Sequence, residues 1–335
     1  MHQPRKPLAL TMGEPSGIAG EIVVKAWAGD GKPVPPFVYL GDPAWLRAEA
    51  HRIRSHYHVV EVSSCDEAVV RFADGIPVLP VALAERPTFG MPHPANAAAV
   101  TQSIRHAVDL VISGHASAVV TNPIHKAALY AAGFKFPGHT EFLADLTGGG
   151  HAVMMLCIEG LRVVPVTVHQ SLASAIKSLT VDSIVSAAVT TNLALRKEFG
   201  IAMPRIAVAA LNPHAGEDGT MGDEEVRIIS PAVTQLRQQG VNVVGPLPAD
   251  TLFHAGSRKR FDAVICMYHD QALIPLKTLD FQHGVNTTLG LSIVRTSPDH
   301  GTAFDIAGSG KADPSSLLAA LRLADEMSRN RAAHA

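Results

Sequence analysis

The chain has 335 residues, 47% of them hydrophobic and 17% charged, with a formal net charge of -2. This balance excludes a disordered chain and gives no bulk electrostatic reason to expect nucleic acid or a membrane as partner, so a small molecule is the expected ligand. Cys65, Cys157 and Cys266 form no C-x-x-C pair, which speaks against a disulfide framework or thiolate zinc cluster and fits a reducing compartment.

The N-terminal stretch MHQPRKPLALTMGEP carries two basic residues, but its apolar run breaks too early for the core of a signal peptide. Next come a strand PLALTM, a helix from Ile18 to Trp27, a strand FVYL, a helix from Ala44 to Ile53 and a strand YHVVEV. Such alternation predicts a parallel sheet covered by helices. Within residues 95–112, Ala97, Val100, Ile104, Ala107, Val108 and Val111 recur at helical spacing, and the strand ASAVVTNP follows.

A second series starts near residue 139: HAVMMLCI, LRVVPVTV, a helix from Val181 to Phe199, the strand PRIAVAAL, a helix from Asp223 to about Gln239, and FDAVICMY. Residues 152–168 carry Glu159 and Arg162 near their middle and read as two strands, not a membrane helix. GVNTTLGLSIV leads to a last helix with Asp313 as N-cap and Pro314 as first residue. A length of two ordinary domains, no linker and no membrane segment predict a cytoplasmic α/β protein.

Two glycine-rich loops fail the familiar nucleotide tests. Gly13, Gly17 and Gly20 in TMGEPSGIAG do not follow G-x-G-x-x-G; in DIAGSGKADP, Asp305 and Ala312 occupy positions where a P-loop requires Gly and Ser or Thr. DIAGSGKADP still places flexible residues and Lys311 before a helix start, where free backbone N–H groups favour a cofactor phosphate.

Of 17 histidines, His169 in VVPVTVHQ, His214 in AVAALNPHAGEDG and His269 in AVICMYHDQ lie at or just beyond the ends of apolar strands. Strand carboxyl ends form the ligand crevice of an open parallel sheet, and three imidazoles converging there would suit zinc or a similar divalent ion. Asp270 beside His269 can orient an imidazole or take a proton; Asp250 in PADTLFH reads equally as an N-cap. Lys277, Asn286 and Arg295, with His139 and Thr140 of FPGHTEF, form a set suited to a small anion such as a phosphate. Glu217 and Asp218 read as solvated loop charges.

Together TMGEPSGI, TNPIHK, PGHTEFLA, LNPHAGEDG, GPLPADTLF, MYHDQALIPLK, GVNTTLGL and RTSPDHGTAFDIAG resemble the 4-hydroxythreonine-4-phosphate dehydrogenase family of pyridoxal phosphate biosynthesis. The resemblance implies metal ligands at His169, His214 and His269, and substrate contacts at His139, Thr140, Lys277, Asn286 and Arg295. It implies two α/β/α domains with mostly parallel sheets, like isocitrate and isopropylmalate dehydrogenases, and an active site in the interdomain cleft. Residues 1–138 plus 287–335 would form the cofactor-side domain, and 139–286 the central metal, substrate and dimerisation domain.

The cofactor, NAD or NADP, would meet HGTAFDIAGSGKADP at Gly301, Asp305, Gly308, Gly310 and Lys311. The divalent ion would be zinc foremost, with magnesium or cobalt as alternatives. The general base stays open among His269, Asp270 and Lys277. The family is a homodimer whose active site, at the subunit interface, takes metal ligands from both chains. One departure stands out: Ala19 and Gly20 replace an expected Gly-Pro in GIGPE, which predicts a local change at the helix start. Rival readings are a dehydrogenase of another phosphorylated hydroxy acid, such as a four-carbon sugar acid phosphate, a three-histidine metal hydrolase, and a phosphate-ligand binding protein.

Overall fold

The structure, a computed structural model, describes residues 5–136 and 138–334. The first four residues of the N-terminal stretch, Pro137 of PGHTEFLA and Ala335 lie outside them. The chain forms two compact units, the first from Met1–Gly150 with Leu291–Ser328, the second from His151–Gly290 with Arg329–Ala335.

Strands β1 (Leu8–Thr11), β2 (Phe37–Gly41), β3 (Val59–Glu61), β4 (Ile76–Pro80), β5 (Val119–Val120) and β12 (Arg295–Pro298) belong to the first unit, in the order β3-β4-β2-β1-β5-β12. All of these pairings are parallel. Leu8, Ala9, Leu10, Phe37, Val38 and Tyr39 are all but inaccessible, so these strands read as continuous apolar runs, as a sheet covered by helices requires. The helix expected from Ala44 starts at Pro43 because the Asp42 side chain accepts from Trp45 N–H at 2.9 Å.

The second unit holds β6 (Val153–Ile158), β7 (Leu161–Thr167), β8 (Ile206–Ala209), β9 (Val243–Leu247), β10 (Ala263–Tyr268) and β11 (Val285–Leu289), ordered β11-β6-β7-β10-β8-β9. β6 and β7 form an antiparallel hairpin turning at Gly160, whose φ of +74° favours glycine. β7, β10, β8 and β9 run parallel. Their core joins Val163, Ala207, Val264 and Cys266 to Ala272, Leu273 and Leu276 of the helix His269–Leu279.

The expected change of domain at residue 139 falls inside the first unit. The reason is the helix His139–Leu146: its Phe142 is fully buried, its ring 5.0 Å from those of Phe134 and Phe136, with the Arg105 guanidinium 5.0 Å over its face. Residues 287–290 stay with the second unit through the pairing of β11 with β6. Asp250 lies within the one-turn helix Ala249–Leu252 and does not cap it; Pro248 holds the N-cap position. Among the described residues no single helix is long and apolar enough to cross a membrane.

Candidate metal and anion site

Three parallel neighbours, β7, β10 and β8, end on one edge of the second unit's sheet, and the three singled-out histidines follow them. Thr167 is opposite Tyr268 in register. His169 therefore follows its strand by two residues and His269 directly, as the first residue of a helix. Thr167 Oγ1 donates to Met267 O at 2.8 Å, fixing the two ends together.

His169 and His269 line one cavity of about 400 Å³ with Thr167, Gln170, Ser171, Leu172, Tyr268 and Asp270. Their ring centroids are 6.4 Å apart. His169 has φ +50°, a left-handed conformation uncommon for a non-glycine residue. His269 Nδ1 lies 2.7 Å from Asp270 Oδ1. This contact leaves Nε2 as the nitrogen that a metal ion could meet, in the carboxylate–histidine arrangement that orients imidazoles in metal sites. The donor set thus suits a borderline divalent ion.

His214 does not line that cavity, and among the described residues no three His, Cys, Asp or Glu side chains are placed to hold a metal ion within one chain. The convergence of all three histidines expected from the strand ends is therefore not met in a single subunit. The chain after β8 is drawn aside instead. Glu225, 3% exposed, accepts from Leu211 N at 2.7 Å, Asn212 N at 2.8 Å and Asn212 Nδ2 at 2.9 Å. His214, Ala215, Gly216, Glu217 and Asp218 then all have positive φ, and His214 is exposed on this left-handed turn. L-residues resist such a run. Gly216 relieves part of it: a Cβ there would lie 2.7 Å from Glu225 Oε2.

Lys277 lies in the helix His269–Leu279, its ammonium 5.6 Å over the Phe281 ring, and Asn286 lies on β11 with a buried Oδ1 that has no hydrogen-bond partner among the described residues. His139, Thr140 and Arg295 belong to the first unit. Arg295 is 3% exposed on β12; its Nε and Nη2 donate to Thr121 Oγ1 at 3.1 and 2.6 Å, and burial brings its pKa down to about 10. His139 and Thr140 open their helix after Gly138. Burial, reinforced by the Arg295 and Lys126 charges, holds the His139 imidazole well below its ordinary range, and among the described residues its buried Nε2 has no hydrogen-bond partner.

The expected cofactor segment lies in the first unit, and the free amides foreseen in DIAGSGKADP are not free. Gly310 N and Ala312 N donate to Glu21, and Lys311 N to Ser309 Oγ. Asp313 accepts from Ser315 N at 2.9 Å, but the helix runs Ser315–Ala333, one residue later than the start expected at Pro314. Gly308 and Gly310 have φ +78°. Gly301 has no such conformation, and a Cβ there would meet nothing within 4 Å. Asp305 and Lys311 are exposed. The departure at GIAGE has a local consequence: Ala19 starts the helix Ala19–Ala28, and Gly20 packs where a Cβ would lie 2.9 Å from Glu49 Cγ.

Gln271 was not singled out in the sequence. Its Oε1 accepts from Met267 N at 2.7 Å and its Nε2 donates to Ala210 O at 2.6 Å, so it ties the start of the His269 helix to the ends of β10 and β8. A lone glutamine two residues after His269 in an apolar stretch was the available signal. Glu225 gave none, because its partners precede it in a different element.

Comparison with known proteins follows the same lines. The sequence pattern of the family described as Pyridoxal phosphate biosynthetic protein PdxA matches residues 33–324. The chain is 51% identical over 332 residues to the 4-hydroxythreonine-4-phosphate dehydrogenase of Caulobacter vibrioides, covering 97% of this chain and 98% of that one. The crystal structure of the enzyme of that name from Klebsiella pneumoniae superposes with a TM-score of 0.88 at 40% identity, over 96% of this chain and 99% of that one. A terephthalate 1,2-cis-dihydrodiol dehydrogenase from Burkholderia xenovorans LB400 superposes with a TM-score of 0.65 at 32% identity, over 96% and 98% of the two chains.

Proposed function

This chain belongs to the family of the pyridoxal phosphate biosynthetic protein PdxA, and on that premise we propose that it oxidises the 3-hydroxyl of 4-phosphooxy-L-threonine with NAD or NADP. The product, 2-amino-3-oxo-4-phosphooxybutanoate, loses carbon dioxide to give 3-amino-2-oxopropyl phosphate. In the first step the C3–H bond breaks as hydride transfer and the hydroxyl proton leaves to a base. In the second the bond from C2 to the carboxylate breaks, and its electron pair is held on the C3 oxygen until C2 is protonated.

His169 and His269 would hold a divalent ion, zinc foremost with magnesium or cobalt as alternatives. Bound there, the ion would supply Lewis acidity to the C3 oxygen. Asp270 fixes the imidazole of His269. The base is one of His269, Asp270 and Lys277, and Lys277 also contacts the substrate. Arg295, His139, Thr140 and Asn286 bind and orient the phosphorylated substrate; the buried Oδ1 of Asn286 accepts from its hydroxyl or ammonium. Gly301, Asp305, Gly308, Gly310 and Lys311 form the cofactor surface. The first unit would serve the cofactor, and the second the metal and dimer contacts.

The working form is a cytoplasmic homodimer. Leu172, which lines the cavity, and Ile176, Ile274 and Phe281 of the same unit are exposed apolar side chains, which suits a second copy packing there and the partner's His214 completing the ligand set.

The observation that carries the choice of a phosphorylated substrate is the buried Arg295, held by Thr121 and acting electrostatically on His139. Such a cation suits an anionic group, and the 51% identity to the Caulobacter vibrioides enzyme supports a phosphate there over the carboxylates of a terephthalate dihydrodiol. The test compares kcat/KM, by NADH absorbance, for 4-phosphooxy-L-threonine, 4-phospho-threonate and the terephthalate dihydrodiol. The first should be turned over most efficiently; a higher value for either of the others overturns the assignment.

A further inference from the structure

The loop DIAGSGKADP, which matches no nucleotide fingerprint, is held within the first unit by a part-buried set of charges that the proposed chemistry does not use. Glu21, in the helix Ala19–Ala28, is 0% exposed. Its Oε1 accepts from Ala312 N at 2.8 Å and its Oε2 from Gly310 N at 3.2 Å. Lys25, one turn later, bonds Glu21 Oε1 at 2.8 Å and donates to Gly310 O at 2.9 Å and Ala312 O at 2.7 Å.

Arg52 closes the set. Its Nη2 reaches Glu21 Oε2 at 3.0 Å and Glu49 Oε2 at 2.9 Å, and its Nη1 donates to Gly308 O at 2.8 Å. The guanidinium lies 4.9 Å over the Phe89 ring, and that ring stands where a Cβ on Gly308 would be, at 2.6 Å. Two carboxylates and two cations thus sum to zero charge and grip five backbone groups of residues 308–312.

Two backbone N–H groups in a glycine turn converging on one anion is the arrangement by which loops bind phosphate. Here the anion belongs to the chain. We propose that Glu21, braced by Lys25 and Arg52, is an internal substitute for a bound phosphate that fixes residues 308–312 in the shape the nicotinamide cofactor meets. Glu21 and Arg52 are therefore positioning residues for the cofactor, and the cofactor's pyrophosphate is held by groups other than the Gly310 and Ala312 amides. This inference rests on the proposed cofactor role of residues 301–311.

The test uses the full chain with Glu21→Gln and, should that variant fail to fold, Arg52→Lys. Three quantities are measured: amide hydrogen exchange of residues 308–312 without ligand, the Kd of NAD by calorimetry, and kcat and KM for each substrate. Exchange at 308–312 should quicken, and Kd and KM for NAD should rise roughly 10- to 100-fold, the worth of a charge-assisted hydrogen bond. KM for the phosphorylated substrate should change far less, and Glu21→Asp should recover part of the NAD affinity. Unchanged loop exchange in variants whose wild-type parent binds NAD overturns the role of Glu21 alone. A uniform fall in every kinetic constant also overturns it, because it marks general loss of structure. A wild-type protein that binds neither NAD nor NADP overturns the cofactor reading and this inference with it.

Discussion

Replacing Glu225 by alanine isolates the force that shapes the turn carrying His214. The carboxylate accepts two backbone N–H groups, from Leu211 and Asn212, and one Nδ2–H of Asn212, which also reaches Glu224 at 2.7 Å. The Asn212 side chain keeps a partner after the substitution, so the loss falls on two part-buried amides. Leaving each without an acceptor costs about 1–3 kcal/mol, and partial access of water puts the sum near 2–4 kcal/mol. At about 2–4 °C per kcal/mol for a unit of this size, the unfolding midpoint should drop by roughly 4–16 °C. Circular dichroism melting measures the drop, with Glu224→Ala as the milder control. Zinc affinity should fall in the same variant, because His214 loses its support. A Glu225→Ala protein with wild-type midpoint and wild-type zinc affinity would refute the account of the turn.

Asp270→Asn should lower zinc affinity roughly 10- to 100-fold by releasing the imidazole of His269, as read by competition with a chelating dye; unaltered affinity would remove Asp270 from the site. His139, whose folded pKa is held below its unfolded value of about 6.5, binds fewer protons folded than unfolded in the interval between the two. Its contribution is present above about pH 6.5 and is lost as pH falls toward the folded pKa. Urea midpoints should consequently fall more steeply between about pH 7 and pH 5 for the wild type than for His139→Asn, and parallel curves would contradict the burial argument.

The strands were legible because a parallel sheet buries both of its faces: PLALTM, FVYL, PRIAVAAL and FDAVICMY carry few polar interruptions, β1, β8 and β10 lie within them, and β2 runs one residue past FVYL. The histidines following β7, β8 and β10 were legible for the same reason, since a polar residue at the end of such a run has no packing role. What stayed hidden were carboxylates buried by partners far along the chain. Nothing near Glu21 in the sequence shows that Arg52, Gly310 and Ala312 will close around it. The left-handed turn at 214–218 stayed hidden too: GEDG suggests a loop, but its hand is fixed by Glu225, on a later helical segment.

The order of strands in the first unit bears on how the chain is made. β5 pairs with β1 on one side and β12 on the other, yet β12 is separated from β5 by the whole of residues 121–294. During synthesis the strands β6 to β11 emerge together and can pair among themselves while β5 still presents an open edge. A naked parallel edge invites pairing with another chain, and domains fold as units while the nascent chain lengthens. The stretch of highest aggregation risk for a nascent molecule is thus Val119–Val120, and the hazard ends only when Arg295–Pro298 leaves the ribosome. Truncated products ending before residue 295 should accumulate as insoluble protein.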